Sequence, residues 1–116
     1  MNNYHSGHWA EFLARNLFRL KGYRILASNY ITGKGTNAGE VDFVARKGKT
    51  LVFVEVKKRS TLEKAAYALS ELQKQRIRKG AEAFLKKHPQ YCFHDIRFDA
   101  VLVKLPCSIL HLKNAF

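Results

Sequence analysis

Two acids and a lysine interrupt an otherwise apolar part of the chain. From position 38 to 59 the sequence reads AGEVDFVARKGKTLVFVEVKKR, two runs rich in Val, Phe and Leu with Asp42, Glu55 and Lys57 inside them rather than at their ends. Charge within such a core is unfavourable unless it is paired or bound to a metal. Two carboxylates brought together repel, so one must keep a proton or both must share a cation. A divalent ion resolves the conflict, and magnesium takes a few carboxylates plus waters.

Whether the acids meet depends on a turn. With Gly48-Lys49 as the two central residues of a type II′ turn, which wants glycine first, Lys47 faces Thr50 and Asp42 falls opposite Glu55. Opposed Cβ atoms lie about 4.5–5.5 Å apart. One face of the hairpin then carries Asp42, Val44, Arg46, Leu51, Phe53, Glu55 and Lys57. The other carries Val41, Phe43, Ala45, Val52, Val54 and Val56, without charge. A slip of one residue would separate the acids. The competing reading is an ordinary ion pair between Lys57 and either acid at a frayed sheet end.

The surrounding elements follow from periodicity and capping signals. Ser6 is an N-cap candidate for a helix to about Lys21, with Trp9, Leu13, Leu17 and Leu20 on one stripe and Gly22 as its stop. YRILASNYI reads as the first strand, followed by the loop TGKGTNAG, whose glycines lack the order of a nucleotide-binding loop. After the hairpin a second helix has two candidate capping boxes, Ser60 with Glu63 and Ser70 with Gln73, and should end before Pro89. DIRFDAVLVKL and SILHLK supply the last strands. The order is α-β-β-β-α-β-β. Because the central strands are apolar on both faces, a mixed sheet flanked by helices is expected.

At 116 residues the chain is expected to form a single domain, residues 1–116, with one core. No run approaches the roughly 18 apolar residues of a membrane span, and the N-terminus lacks an apolar signal core, so a cytoplasmic protein without a membrane partner is expected. Cys92 and Cys107 read as buried thiols, with a disulfide between them left open. Charge is the strongest compositional signal: 21 Lys and Arg against nine acids give a formal net charge of +12. Such an excess favours a polyanion, chiefly nucleic acid, over the alternative of a merely solvated basic surface.

Asp42, twelve residues, then Glu55-Val56-Lys57 resembles the D-x(n)-(D/E)-x-K signature of the PD-(D/E)XK nucleases. The match is more specific to the YraN-like family, small bacterial proteins related to Holliday-junction resolvases. Its pattern is carried here by Gly7 with Glu11, by Gly39-Glu40-Val41-Asp42, by Phe53 through Lys57 followed by Arg59, and by Arg97-Phe98-Asp99. One departure is the absence of glycine from STLEKAAYALS after Arg59. The resemblance implies a restriction-endonuclease-like α/β fold and a metal-dependent DNA endonuclease using magnesium or manganese. It assigns the metal to Asp42, Glu55 and the carbonyl of Val56, with Glu11 completing the shell directly or through a water. Lys57 would orient or help deprotonate the attacking water and stabilise charge on the phosphate.

Other polar residues are weighed against plainer roles. Gln73, between Leu69 and Ile77 on an apolar stripe, either lines the site or serves only its capping box. Arg59, Lys74 and Arg78 are candidate phosphate contacts, the last two sharing a helix face, although each is also an ordinary surface charge. Glu40 reads as a loop ion-pair partner, Asp99 with Arg97 as a structural pair, and His5 and His8 as part of a tail. The expected partner is DNA, with junction, flap, nicked and plain duplex substrates left open, and action on two strands would favour a homodimer. The alternative is a DNA- or RNA-binding module of the same fold without turnover.

Overall fold

Gly48 sits at φ 59 while Lys49 keeps an ordinary negative φ, the signature of a two-residue type II′ turn. It joins β2 (Gly39–Lys47) to β3 (Thr50–Lys58) in the expected register, Lys47 with Thr50 through Phe43 with Val54. In the computed structural model, residues 3–33, 38–58, 70–104 and 108–116 are described, with side chains from His8 onward. β1 (Arg24–Thr32) pairs antiparallel with β2, and β4 (Asp95–Lys104) lies parallel to β3. β5 (Ser108–Leu112) returns antiparallel to β4, giving a five-stranded mixed sheet in the order β1-β2-β3-β4-β5. The single parallel step needs a long crossover, and it contains helix α2 (Glu71–Lys87). With α1 (Asn3–Leu20) in front, the order is α-β-β-β-α-β-β.

Helix α1 ends where the sequence suggests. The Gly22 N–H donates to the Arg19 carbonyl at 3.0 Å and the Tyr23 N–H to the Phe18 carbonyl at 2.9 Å, with Gly22 at φ 93. This is a Schellman motif, and the Phe18 and Tyr23 rings supply its apolar contact at 4.8 Å. Its start differs. The helix begins at Asn3, so Ser6 lies within it, and His5 and His8 belong to the helix rather than to a tail. The buried stripe is Ala10, Ala14 and Phe18, whereas Trp9 and Leu20 are exposed. Two alanines let the helix sit close on the sheet, which turns the bulkier Trp9 to the flank.

Helix α2 starts at the Ser70 capping box: the Ser70 Oγ accepts the Gln73 N–H at 3.1 Å, and the Gln73 Oε1 accepts the Ser70 N–H at 3.0 Å. It buries Ile77, Ala81 and Phe84 and ends at Lys87, before Pro89. The Ser60–Glu63 box lies outside the described residues.

The two helices cover opposite faces of the sheet. Ala10, Ala14 and Phe18 of α1 pack with Phe43, Ala45, Val52, Val54, Val101 and Val103. Ile77, Ala81 and Phe84 of α2 pack with Val41, Val44, Leu51 and Phe53. Val41 therefore departs from the expected alternation, lying on the α2 face although Phe43, two residues on, faces α1. Cys92 is a free, exposed thiol rather than a buried one, and Cys107 is outside the described residues. No helix among the described residues is long and apolar enough to cross a membrane.

Candidate functional site: an acidic pair beside a charged cleft

The residue between Val41 and Phe43 is Asp42, and the change of face happens there. The β2–β3 ladder stops at Phe43 with Val54, and Asp42 does not form the next backbone pair with Glu55. Instead its Oδ2 accepts the Val56 N–H at 2.7 Å. The side chain occupies the place of a strand carbonyl, lying toward β3 in the plane of the sheet, so the residues on either side of it fall on opposite faces. The N–H and carbonyl of one strand residue point the same way. Val56 thus also directs its carbonyl toward β2, where the ladder has ended.

Glu55 and Lys57 project on the α2 side, with the Lys57 Nζ 3.1 Å from the Glu55 Oε1. The ion pair of the competing reading is present, and its acid is Glu55. Burial first, then the Glu55 charge, push the Asp42 carboxyl up to about 8. The Val56 N–H opposes that rise, and the charge of Glu11 adds to it. Glu55 is also raised, chiefly by burial, with Lys57 pulling it back. Glu11 reaches the pair from α1 through its field and is held 3.9 Å from Arg15 one helical turn on. Among the described residues no three His, Cys, Asp or Glu side chains stand together as a metal-binding group.

A cleft of about 210 Å³ opens over Glu55 and Lys57, lined also by Glu40, Gln73, Arg76 and Ile77. Gln73 therefore does both things expected of it, capping α2 and lining the site. Arg76 is the residue that sequence reasoning passed over. It is three positions from Gln73 and next to the buried Ile77, a spacing that places it on the same helix face. Lys74 points elsewhere and pairs with Glu71 at 3.3 Å, and Arg78 is exposed outside the cleft lining. Arg59 lies outside the described residues. Glu40 is in β2 rather than a loop, and its charge is felt by Glu55.

Two glycines set the depth of the cleft. A Cβ on Gly39 would lie 2.5 Å from the Gly80 backbone nitrogen, and one on Gly80 would lie 2.8 Å from Val41 Cγ2. Real Cβ contacts are not that short. Only glycine lets α2 cross β2 at this distance, and that crossing carries Gln73 and Arg76 over Glu55.

The sequence model of Uncharacterised protein family UPF0102 matches residues 10–103. The chain belongs to the UPF0102 family. A UPF0102 protein of Paramagnetospirillum magneticum is 50% identical over 97 residues, covering 84% of this chain and 75% of that protein. UPF0102 proteins of Nitrobacter winogradskyi and Rhodopseudomonas palustris are 43% and 39% identical over 113 residues, 97% of this chain and 92% and 84% of theirs. The UPF0102 match spans every residue of the acidic cleft.

Outside that cleft, this UPF0102 protein holds a second buried acid. Asp99 is fully buried and accepts two bonds from Arg97 at 2.8 Å, one from the His111 Nε2 at 2.7 Å and one from the Asn114 N–H at 3.1 Å. Burial alone would raise its carboxyl. The bonds from His111, Arg97 and Asn114 outweigh burial and hold it below the ordinary value. Asp99 in turn holds the Arg97 guanidinium above its usual value, with burial opposing and the Tyr23 hydroxyl, 2.7 Å away, assisting. Lys21 approaches the other ring nitrogen of His111 at 2.8 Å. An ammonium can only donate, so Nδ1 accepts and Nε2 carries the proton given to Asp99. The Arg97–Asp99 pair is structural, as expected, and it fastens β4 to β5 and to the end of α1.

Proposed function

We propose that this UPF0102 protein is a metal-dependent DNA endonuclease of the PD-(D/E)XK type, hydrolysing phosphodiesters with magnesium or manganese. The observation that carries this reading is the Asp42–Glu55 pair, two acids held in contact with Lys57 beside them, under a cleft that also receives Arg76. Oxygen donors in small number fit a hard divalent cation that keeps waters in its shell, and do not fit zinc, which prefers His and Cys. Asp42 and Glu55 would hold the ion, with the Val56 carbonyl on the same side and Glu11 reaching it directly or through a water. When bound, it supplies a Lewis acid for the phosphodiester and acidifies water.

The remaining roles belong to the chain. Asp42 gives up its proton when a cation replaces it. Glu55 would share in holding the ion, and Lys57, 3.1 Å from Glu55, would orient the attacking water and offset charge on the phosphate. Arg76 and Gln73, on the opposite wall, would grip phosphate oxygens and fix the strand in the cleft. The net charge of +12 would draw DNA to the protein.

A non-catalytic DNA- or RNA-binding module is the second reading, favoured by one feature: Lys57 is already closed on Glu55. Cleavage separates the two. Labelled junction, flap and duplex DNA are incubated with manganese and run on a gel. The parent should cut, while Lys57→Ala and Glu55→Ala should bind within a few-fold yet lose about a hundredfold or more in rate. Equal trace cleavage by all three proteins would refute the enzyme and leave the binding module.

A further inference from the structure

Helix α1 carries a second surface beyond the acidic cleft. Trp9 and Phe12 lie three positions apart, are 44% and 46% exposed, and stack on one another at 5.4 Å with 20° between their planes. They line a shallow groove with His8 and Arg15. Two large aromatic side chains, half open to water and stacked together, make a contiguous apolar patch on a strongly basic protein. At 100° per residue, the solvent face of α1 runs from Trp9 through Phe12 to Arg15 and then to Glu11 on the flank nearest Asp42. The 3.9 Å contact between Arg15 and Glu11 joins the groove to the acidic site.

We infer that Trp9 and Phe12 form a stacking platform for an unpaired base of single-stranded nucleic acid, with Arg15 and His8 holding its phosphate. Each base has a π-face, so aromatic platforms bind single strands with little regard to sequence, and basic neighbours track the backbone. Base pairs in an intact duplex present no free face to such a platform. The substrate class this selects is DNA or RNA with an unpaired segment, rather than plain duplex. This inference rests on the nucleic-acid half of the proposed function, and on neither metal nor turnover.

Trp9 is the only tryptophan in the chain, so its fluorescence reports directly on the platform. Full-length protein in EDTA, where no cleavage can occur, is titrated with a short oligothymidylate, an abasic phosphodiester chain of equal length, and a blunt duplex. The oligothymidylate should quench Trp9, and the abasic chain and duplex should not. Phe12→Ala should weaken the oligothymidylate roughly tenfold, within the range of one aromatic–base stack, and leave abasic-chain affinity unchanged. Circular dichroism of Phe12→Ala confirms that the helix is retained. Equal quenching by oligothymidylate and abasic chain would overturn the platform. So would a parent dimer in sedimentation that Phe12→Ala dissociates without loss of base selectivity, because the groove would then seat a second copy. Glu55→Ala should quench like the parent, so failure of the metal site leaves this result untouched.

Discussion

Replacing Asp42 by Asn tests the electrostatic premise of the site through stability alone, with no cleavage assay. In the folded protein the Asp42 carboxyl titrates at about 8, against 3.8 for an ordinary aspartate. The folded state therefore binds a proton that the unfolded chain has released, and stability falls as pH rises between those values. The contribution is fully present below about pH 4 and is withdrawn at up to about 1.4 kcal/mol per pH unit, about 3 kcal/mol from pH 5 to 7. Asparagine mimics the protonated acid: its carbonyl oxygen can accept the Val56 N–H, and its amide can donate to Glu55. Asp42→Asn should match the parent near pH 4 and become the more stable protein by a margin that widens toward pH 8.

Magnesium should act in the opposite sense, and only on the parent. Binding to the folded state alone stabilises by about 2.7 kcal/mol at a hundred times the dissociation constant. Because the ion displaces the Asp42 proton, its effect should grow with pH. Urea unfolding at intervals from pH 4 to 8, with and without magnesium, measures both. Parallel pH curves for parent and Asp42→Asn would refute the shared-proton picture. A loss of stability in Asp42→Asn at every pH would mean that an ionised Asp42, held by the Val56 N–H, is what the fold requires.

DNA affinity should fall steeply with salt, log K against log[salt] having a slope of several units, and a flat dependence would remove nucleic acid as the partner. Asp99→Asn should destabilise by about 3–5 kcal/mol at pH 7, because it strips the buried partner from Arg97 and His111; thermal and urea unfolding would detect it, and a loss under about 1 kcal/mol would contradict the packing described. The Asp99 carboxyl is lowered, so the parent's advantage over Asp99→Asn should be lost as pH falls below about 4. Gly80→Ala should lower stability by about 1–3 kcal/mol through its clash with Val41, and should weaken phosphate binding by lifting Arg76 from the cleft; an unchanged melting temperature would show that α2 does not need that close approach.

Much of the scaffold could be read from local rules, and the places where reading failed share a cause. Alternation and one glycine predicted the β2–β3 register as far as Phe43 and Val54, because a type II′ turn leaves no freedom in pairing. The rules stop at Asp42, where a side chain replaces a backbone acceptor. Period-two reasoning assumes that every residue spends its side chain on a face. Similarly, Arg76 was legible in principle from its spacing to Gln73 and Ile77, but a helix as basic as α2 offers several such cations. What singles out Arg76 is the Gly39–Gly80 crossing, a contact between elements far apart in sequence.

His111 and Trp9 show the same limit from opposite sides. His111 lies in an edge strand, and nothing near it in sequence announces that Asp99 will reach it from the neighbouring β4. Trp9 fits an apolar stripe with Leu13 and Leu17 as well as any core residue, and only the small cross-section of Ala10 and Ala14 decides which side of α1 meets the sheet. In both cases the chemistry of the residue was visible and its direction was not. Direction matters most at Asp42: turned onto a face, it would be one more acid opposite Glu55, with the backbone ladder intact beneath it. Held in the plane by the Val56 N–H, it ends the ladder and leaves the Val56 carbonyl facing the same gap. One hydrogen bond of 2.7 Å thereby collects two carboxylates and a carbonyl at one point in the sheet, where a cation could replace a proton.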